Sequence, residues 1–268
     1  MCPATDGIRV VEHTGNARKP GGSIGMNKLQ ASSIQEEGSY LPVGILIDTC
    51  ASVYGQEQMI NRWIKTLLQQ MCQDSHAGQM IRLLAVHYNH SIHPVAEFLP
   101  LEQIKDQDLV IGDAFGTTDI GGALLYVLRR IREQTIQWAD RGAKVFCPVV
   151  IAVCSEYPAP AFDASERDLQ LFWGRYRLAT KQLRKLDAKQ QVLFAVALIN
   201  DGIPIGASDR CCRIMQYLTQ GGTQLFRIGS VGESDIPLGK MLFLAQASPC
   251  SAPRSTPWET ALEQVLGL

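Results

Sequence analysis

An α/β fold with a doubly wound, mainly parallel sheet is predicted by three observations. Two segments, Val43-Gly44-Ile45-Leu46-Ile47 and Val149-Val150-Ile151-Ala152-Val153-Cys154, are apolar without alternation. A strand covered by helices on both faces has that signature, whereas a half-exposed strand alternates. Between them lie amphipathic stretches of helical period, the clearest carrying Met59, Ile60, Trp63, Ile64, Leu67, Leu68 and Met71 on one stripe. Strand-like and helix-like segments then alternate along most of the chain, a pattern that requires crossover connections and hence parallel neighbours.

In chain order, residues 1–38 are rich in Gly, Ser and charge, with one short extended candidate at 8–11, and read as an arm or loosely attached segment. The main domain is assigned to 39–247, starting near Leu41. After the first strand and helix, 81–88 reads as a second strand, and 95–98, beyond a short hairpin, as the antiparallel edge strand. The Gly-rich loop from Phe115 runs into a helix with Ile120, Leu124, Val127, Leu128, Ile131 and Trp138 on its apolar side. The strand at 149–154 is followed by a Pro-rich loop and a helix over about 167–186. Strand 192–199, helix 210–218, strand 223–228 and helix 237–247 complete a Rossmann-like sheet with helices on both faces. Residues 248–268 form a Ser/Pro-rich tail ending in a short amphipathic helix through Trp258, Leu262, Val265 and Leu266.

The bulk numbers narrow the function classes. In 268 residues with 46% hydrophobic content, one large core plus appendages is accommodated. A net charge of -1 and a pI near 6.5 give no electrostatic footprint for nucleic acid or an anionic membrane, so neither partner is expected. No apolar run approaches the roughly 20 residues of a membrane helix, and no secretory signal pattern opens the chain; a cytoplasmic location is expected. Eight cysteines are present without a C-x-x-C pair, several inside apolar segments, which favours buried free thiols over disulfides.

Chemistry concentrates where the first strand ends, in Asp48-Thr49-Cys50-Ala51-Ser52. The ligand edge of an open α/β sheet lies at the carboxyl ends of its strands. A second polar loop, Gly116-Thr117-Thr118-Asp119-Ile120-Gly121, opens a helix, and the strand at 149–154 ends in Cys154-Ser155-Glu156. Together these resemble the von Willebrand factor A (vWA) family, whose metal-ion-dependent adhesion site is built from Asp-x-Ser-x-Ser, a Gly-x-Thr-x-x-Gly loop and a strand ending in Thr-Asp-Gly. The resemblance spans about 41–230 and is strongest to compact bacterial domains of the TerY-like, tellurite-resistance-associated group. It implies a vWA fold, Asp48, Ser52 and Thr118 as metal-site residues, and Cys50 and Ser155 at degenerate ligand positions.

Those two departures bear on the ion. Mg2+ demands an octahedron of oxygens, for which a neutral thiol is a poor substitute. Ser155 where the family has aspartate removes a charge next to the ion; at about 4 Å and an effective dielectric near 20 a unit charge pair is worth on the order of 4 kcal/mol before desolvation. Any Mg2+ held here is expected to be weakly bound. Glu156 or Asp119 would restore the charge by turning inward, although Asp119 is also a natural first-turn acid of a helix.

Other constellations carry less. Cys50, Cys154 and Asp48 converge in this topology and would suit a softer ion such as zinc, against the plainer reading of two inert buried thiols. With a hairpin centred on His90, His87 and His93 become cross-strand neighbours while His90 points away, an awkward geometry for three ligands. Gly21-Gly22-Ser23-Ile24-Gly25 spells a nucleophile elbow, but it follows Asn16-Ala17-Arg18-Lys19-Pro20 instead of a buried strand. Cys211-Cys212 opens a helix-like segment with no basic or histidine partner nearby. Neither a Walker A loop nor a Gly-x-Gly-x-x-Gly fingerprint occurs.

The expectation is therefore a non-enzymatic module that binds a protein partner through the loop edge at 48–55, 88–91, 115–119 and 154–162. The resemblance places such modules in bacterial multi-component stress or defence systems. Two rivals stand beside it: a Rossmann-like enzyme with Cys50 as nucleophile and His87 or His90 as base, and a structural subunit assembling through its arm and C-terminal helix.

Overall fold

The structure, a computed structural model, describes residues 38–73, 75–155, 164–189, 191–199 and 224–228, together with Met241, Leu242 and Ala245. The expected helix at 210–218, the arm, the tail, the Gly21–Gly25 segment and Cys2, Cys211, Cys212 and Cys250 lie outside these residues, as does all of the 237–247 helix except the three named.

The described elements follow the alternation of the sequence. They are β1 (Ser39–Asp48), α1 (Glu57–Gln73), α2 (Ser75–Met80), β2 (Ile81–Tyr88), β3 (Ile92–Pro100), α3 (Ile120–Asp140), β4 (Lys144–Val145), β5 (Val149–Ser155), α4 (Glu166–Ala188), β6 (Leu193–Ile199) and β7 (Gln224–Ile228). The molecule is α/β with a mixed sheet in the order β3-β2-β1-β5-β6-β7, the two-residue β4 pairing separately with the start of β1. All pairings are parallel except β2 with β3.

The edge strand β3 is longer than the 95–98 read from sequence. Along its length exposed His93, Pro94 and Glu97 are mixed with buried Ala96 and Phe98. An edge strand tolerates that polarity because one side faces water. Its register against β2 slips around Ala85, and Phe98 adopts a positive φ of 51° close to that irregularity.

Helices cover the sheet on both sides, which explains the unbroken apolar runs. Leu41, Val43, Ile45 and Ile47 of β1 pack with Ile60, Ile64, Leu67 and Met71 of α1, and Met241, Leu242 and Ala245 join this layer. On the opposite face Leu46, Val150, Ala152 and Val196 meet Leu124, Val127 and Ile131 of α3 and Tyr176, Ala179 and Leu183 of α4. Burying each such aliphatic side chain contributes about 1.5–3 kcal/mol. Among the described residues no helix is long and apolar enough to cross a membrane.

Candidate functional site

The strand order reverses at β1, which has β2 on one side and β5 on the other. At such a reversal the crossovers leave in opposite directions and open a crevice beyond the carboxyl ends. Asp48 is the last residue of β1. It sits in register with Tyr88 of β2, and Ile47 pairs with Val153, so Cys154 follows on the other flank.

Backbone and side-chain hydrogen bonds then draw four segments onto that edge. The Cys50 amide donates to Asp48 Oδ1 at 2.9 Å, closing an Asx-type turn, and a 3-10 turn follows at Ala51–Val53. Thr49 N–H donates to the Tyr88 carbonyl at 2.8 Å, Phe115 N–H to the Thr49 carbonyl at 2.9 Å and Ala51 N–H to the Gly116 carbonyl at 3.0 Å. Asp119 N–H reaches the Asn89 carbonyl at 2.8 Å. From β5, the Ser155 amide points at Asp48 Oδ2 at 3.5 Å, and Ser52 Oγ donates to Ser155 Oγ at 2.7 Å. The segments around 48, 118 and 155, distant in sequence, thus meet on one rim.

The glycines of the second loop have structural reasons. Gly116 has φ of +76°, and a Cβ there would lie 2.6 Å from His90 Nδ1. A Cβ on Gly121 would lie 2.6 Å from the Tyr176 backbone nitrogen, so this glycine sets how closely α3 approaches α4. Asp119 does not turn toward Asp48: it caps α3 by accepting from Gly122 N–H at 2.9 Å and pairs with Arg175 of α4. Of the two readings open for Asp119, the structure shows the helix-terminal acid, and a carboxylate shared by a helix cap and a guanidinium is already satisfied. Glu156 lies outside the described residues.

Burial dominates the electrostatics. Asp48 is fully buried, and loss of solvent pushes its carboxyl up to about 6, although hydrogen bonds from Cys50 and the Ser155 amide favour the charged form. Burial and the neighbouring Asp48 charge push the Cys50 thiol up to about 12. Cys154 and Tyr88 are also held well above their ordinary ranges, by burial first and the Asp48 charge second. At neutral pH both thiols stay protonated, which makes them poor nucleophiles and poor metal ligands. Two buried oxygens, Thr118 Oγ1 and Tyr88 Oη, have no hydrogen-bond partner among the described residues, although an unmet buried hydroxyl costs about 1–3 kcal/mol.

The unpartnered Thr118 hydroxyl favours a guest, but it is neutral. Both Asp48 oxygens face backbone amides, Ser52 is engaged by Ser155 and by Cys50 Sγ at 2.9 Å, and Asp119 is taken by Arg175. These residues do not fit a tightly held Mg2+, which needs charged oxygens free to coordinate. Among the described residues no group of three His, Cys, Asp or Glu is arranged to hold a metal, Asp48 with Cys50 and Cys154 included. His87 and His93 are cross-strand partners; His87 lies 3.3 Å from the Leu109 carbonyl and is lowered by burial, while His90 is exposed at the hairpin tip.

Within the expected loop edge, the rim also carries two exposed aromatics. Tyr54 is 75% exposed and Phe115 59% exposed, and the His90 ring meets Phe115 edge-on at 6.2 Å. A signal for them exists in the sequence: each aromatic directly precedes or adjoins glycine in a polar loop, where no helical or strand period demands a large apolar side chain.

No protein-family model matches the chain, and no curated protein matches it. Among solved structures it is similar to the PilB minor pilin from Streptococcus sanguinis, at 12% identity and a TM-score of 0.49 over 78% of this chain. It is also similar to proximal thread matrix protein 1 from the mussel byssus, at 14% identity and a TM-score of 0.44, covering 78% of this chain and 47% of that one. The chain spans 60% of the PilB chain's length.

Proposed function

We propose that this chain is a non-enzymatic, vWA-type interaction module with a Rossmann-like doubly wound sheet, which binds a protein partner through the rim around Asp48, Ser52 and Thr118. The observation that carries the reading is the pair of exposed aromatics, Tyr54 and Phe115, on the loops that surround a buried polar cluster. Aromatic side chains presented to solvent on these loops suit an interface, where aromatic anchors carry much of the binding energy. Support for the vWA assignment comes from Asp48-x-Cys50-x-Ser52, Gly116-x-Thr118-x-x-Gly121 and Ser155 lying on one rim. On the strength of that resemblance the partner belongs to a bacterial multi-component stress or defence system. Buried free Cys50, Cys147 and Cys154 suit a reducing cytoplasm.

The Cys50-nucleophile alternative needs a lowered thiol pKa and an adjacent base, and burial acts in the opposite direction. Affinity capture from the source cells tests the proposal. A partner retained by the wild type and by a Val110→Ser control is expected to be lost with Tyr54→Ser/Phe115→Ser. Retention by the double variant sinks this surface as the binding site.

A further inference from the structure

We infer that the rim is held closed by a chain of neutral hydrogen bonds, Cys50 to Ser52 to Ser155, in place of a divalent cation, and that the residues at 50 and 155 are what deny the cation a site. The inference rests on the vWA-type reading only for where an ion would sit.

The atoms favour this arrangement. A serine hydroxyl has one proton, and Ser52 gives it to Ser155 Oγ at 2.7 Å. The Cys50 thiol lies 2.9 Å from Ser52 Oγ, so the chain continues to Cys50 whichever of the two atoms donates. Asp48 Oδ1 and Oδ2 face the amides of Cys50 and Ser155, so this carboxylate accepts N–H groups from both flanking segments. Loop 49–53 is thereby tied to the end of β5 by protein atoms. A cation entering here would have to break the serine pair and accept a thiol, and among the described residues it would gain the charge of Asp48 alone.

Restoring the missing groups should open the cation site. Ser155→Asp adds a second carboxylate beside Asp48, and Cys50→Ser supplies a hard oxygen. Without a cation the two carboxylates repel, so the double variant should melt lower than wild type in EDTA and recover on addition of MgCl2.

The experiment is thermal unfolding in EDTA and in MgCl2, with calorimetric titration of MgCl2, on wild type, Cys50→Ser/Ser155→Asp and Ser52→Ala. Wild type should give the same Tm with and without Mg2+, and the double variant should bind Mg2+ at least about tenfold more tightly, the minimum from one added unit charge after desolvation. Ser52→Ala should lower Tm by the same amount in either buffer. The inference is overturned by wild-type Mg2+ binding that Asp48→Ala removes, by a folded double variant indifferent to Mg2+, or by a Ser52→Ala Tm equal to wild type, an outcome that stays informative even where the double variant does not fold. No partner enters these measurements, so their failure is separate from failure of the rim as an interface.

Discussion

At the scale of the residue, Asp48 shows how burial sets a titration. Its carboxyl moves from 3.8 up to about 6 because a fully buried charge loses its hydration. Between those two values the folded protein holds a proton that the unfolded chain has released, so stability falls as pH rises from about 4 to about 6 and stays reduced above. At about 1.4 kcal/mol per unit the shift amounts to ~3 kcal/mol. Asn at this position cannot titrate, and subtracting its stability from that of the wild type cancels every other carboxyl. We expect Asp48→Asn to gain about 2 kcal/mol relative to wild type between pH 4 and pH 7.5, since at pH 4 the unfolded carboxyl is already partly ionised. Urea unfolding of both proteins at the two pH values measures this, and a pH-independent difference would show that Asp48 titrates normally.

At the scale of the element, two glycines fix distances that the loops inherit. A Cβ on Gly44 would approach Val127 Cγ1 to 2.8 Å and Ile131 Cδ1 to 3.1 Å, side-chain tips that have some freedom to move. A Cβ on Gly121 meets the backbone of Arg175 and Tyr176 at 2.6–2.8 Å, which cannot yield without moving α4. Replacing a glycine of ordinary φ by alanine normally stabilises by about 0.4–1 kcal/mol where the Cβ fits. Here overpacking reverses the sign: Gly121→Ala should destabilise by about 2–3 kcal/mol and Gly44→Ala by about 1–2 kcal/mol, in that order, by urea unfolding. Asp119→Ala removes the α3 cap and the partner of Arg175 together. A loss of about 1–2 kcal/mol is expected, and a loss below the cap's own ~0.5 kcal/mol would mean the ion pair contributes nothing.

At the scale of the whole molecule, the interface residues and the core separate. Tyr54→Ser/Phe115→Ser should leave the unfolding free energy within about 0.5 kcal/mol of wild type, because neither side chain is buried; a larger drop would make them part of the core. Thiol accessibility gives an independent map. Cys72 is exposed while Cys50, Cys147 and Cys154 are buried, so peptide mapping after native alkylation should find Cys72 modified and the other three protected until denaturant is added. Labelling of native Cys50 at a rate matching Cys72 would revive the nucleophile reading.

Much of the architecture was determined by the sequence alone, and for a physical reason: burial on two faces leaves an unbroken apolar run, and burial on one helical stripe leaves a 3.6-residue period. Val43 to Ile47, Val149 to Cys154 and the stripe from Met59 to Met71 therefore announced β1, β5 and α1, and the hairpin after Tyr88 announced the antiparallel edge. Local signals stop at local distances. That Ser52 donates to Ser155, that Arg175 takes Asp119 away from Asp48, that Gly121 is required by the backbone of Tyr176 and that Asp48 is sealed from water are contacts between residues 55 to 107 positions apart. No periodicity or motif spacing encodes them. Only the tertiary structure decided them, because side-chain partners and desolvation, hence charge state, are properties of what surrounds a residue in space.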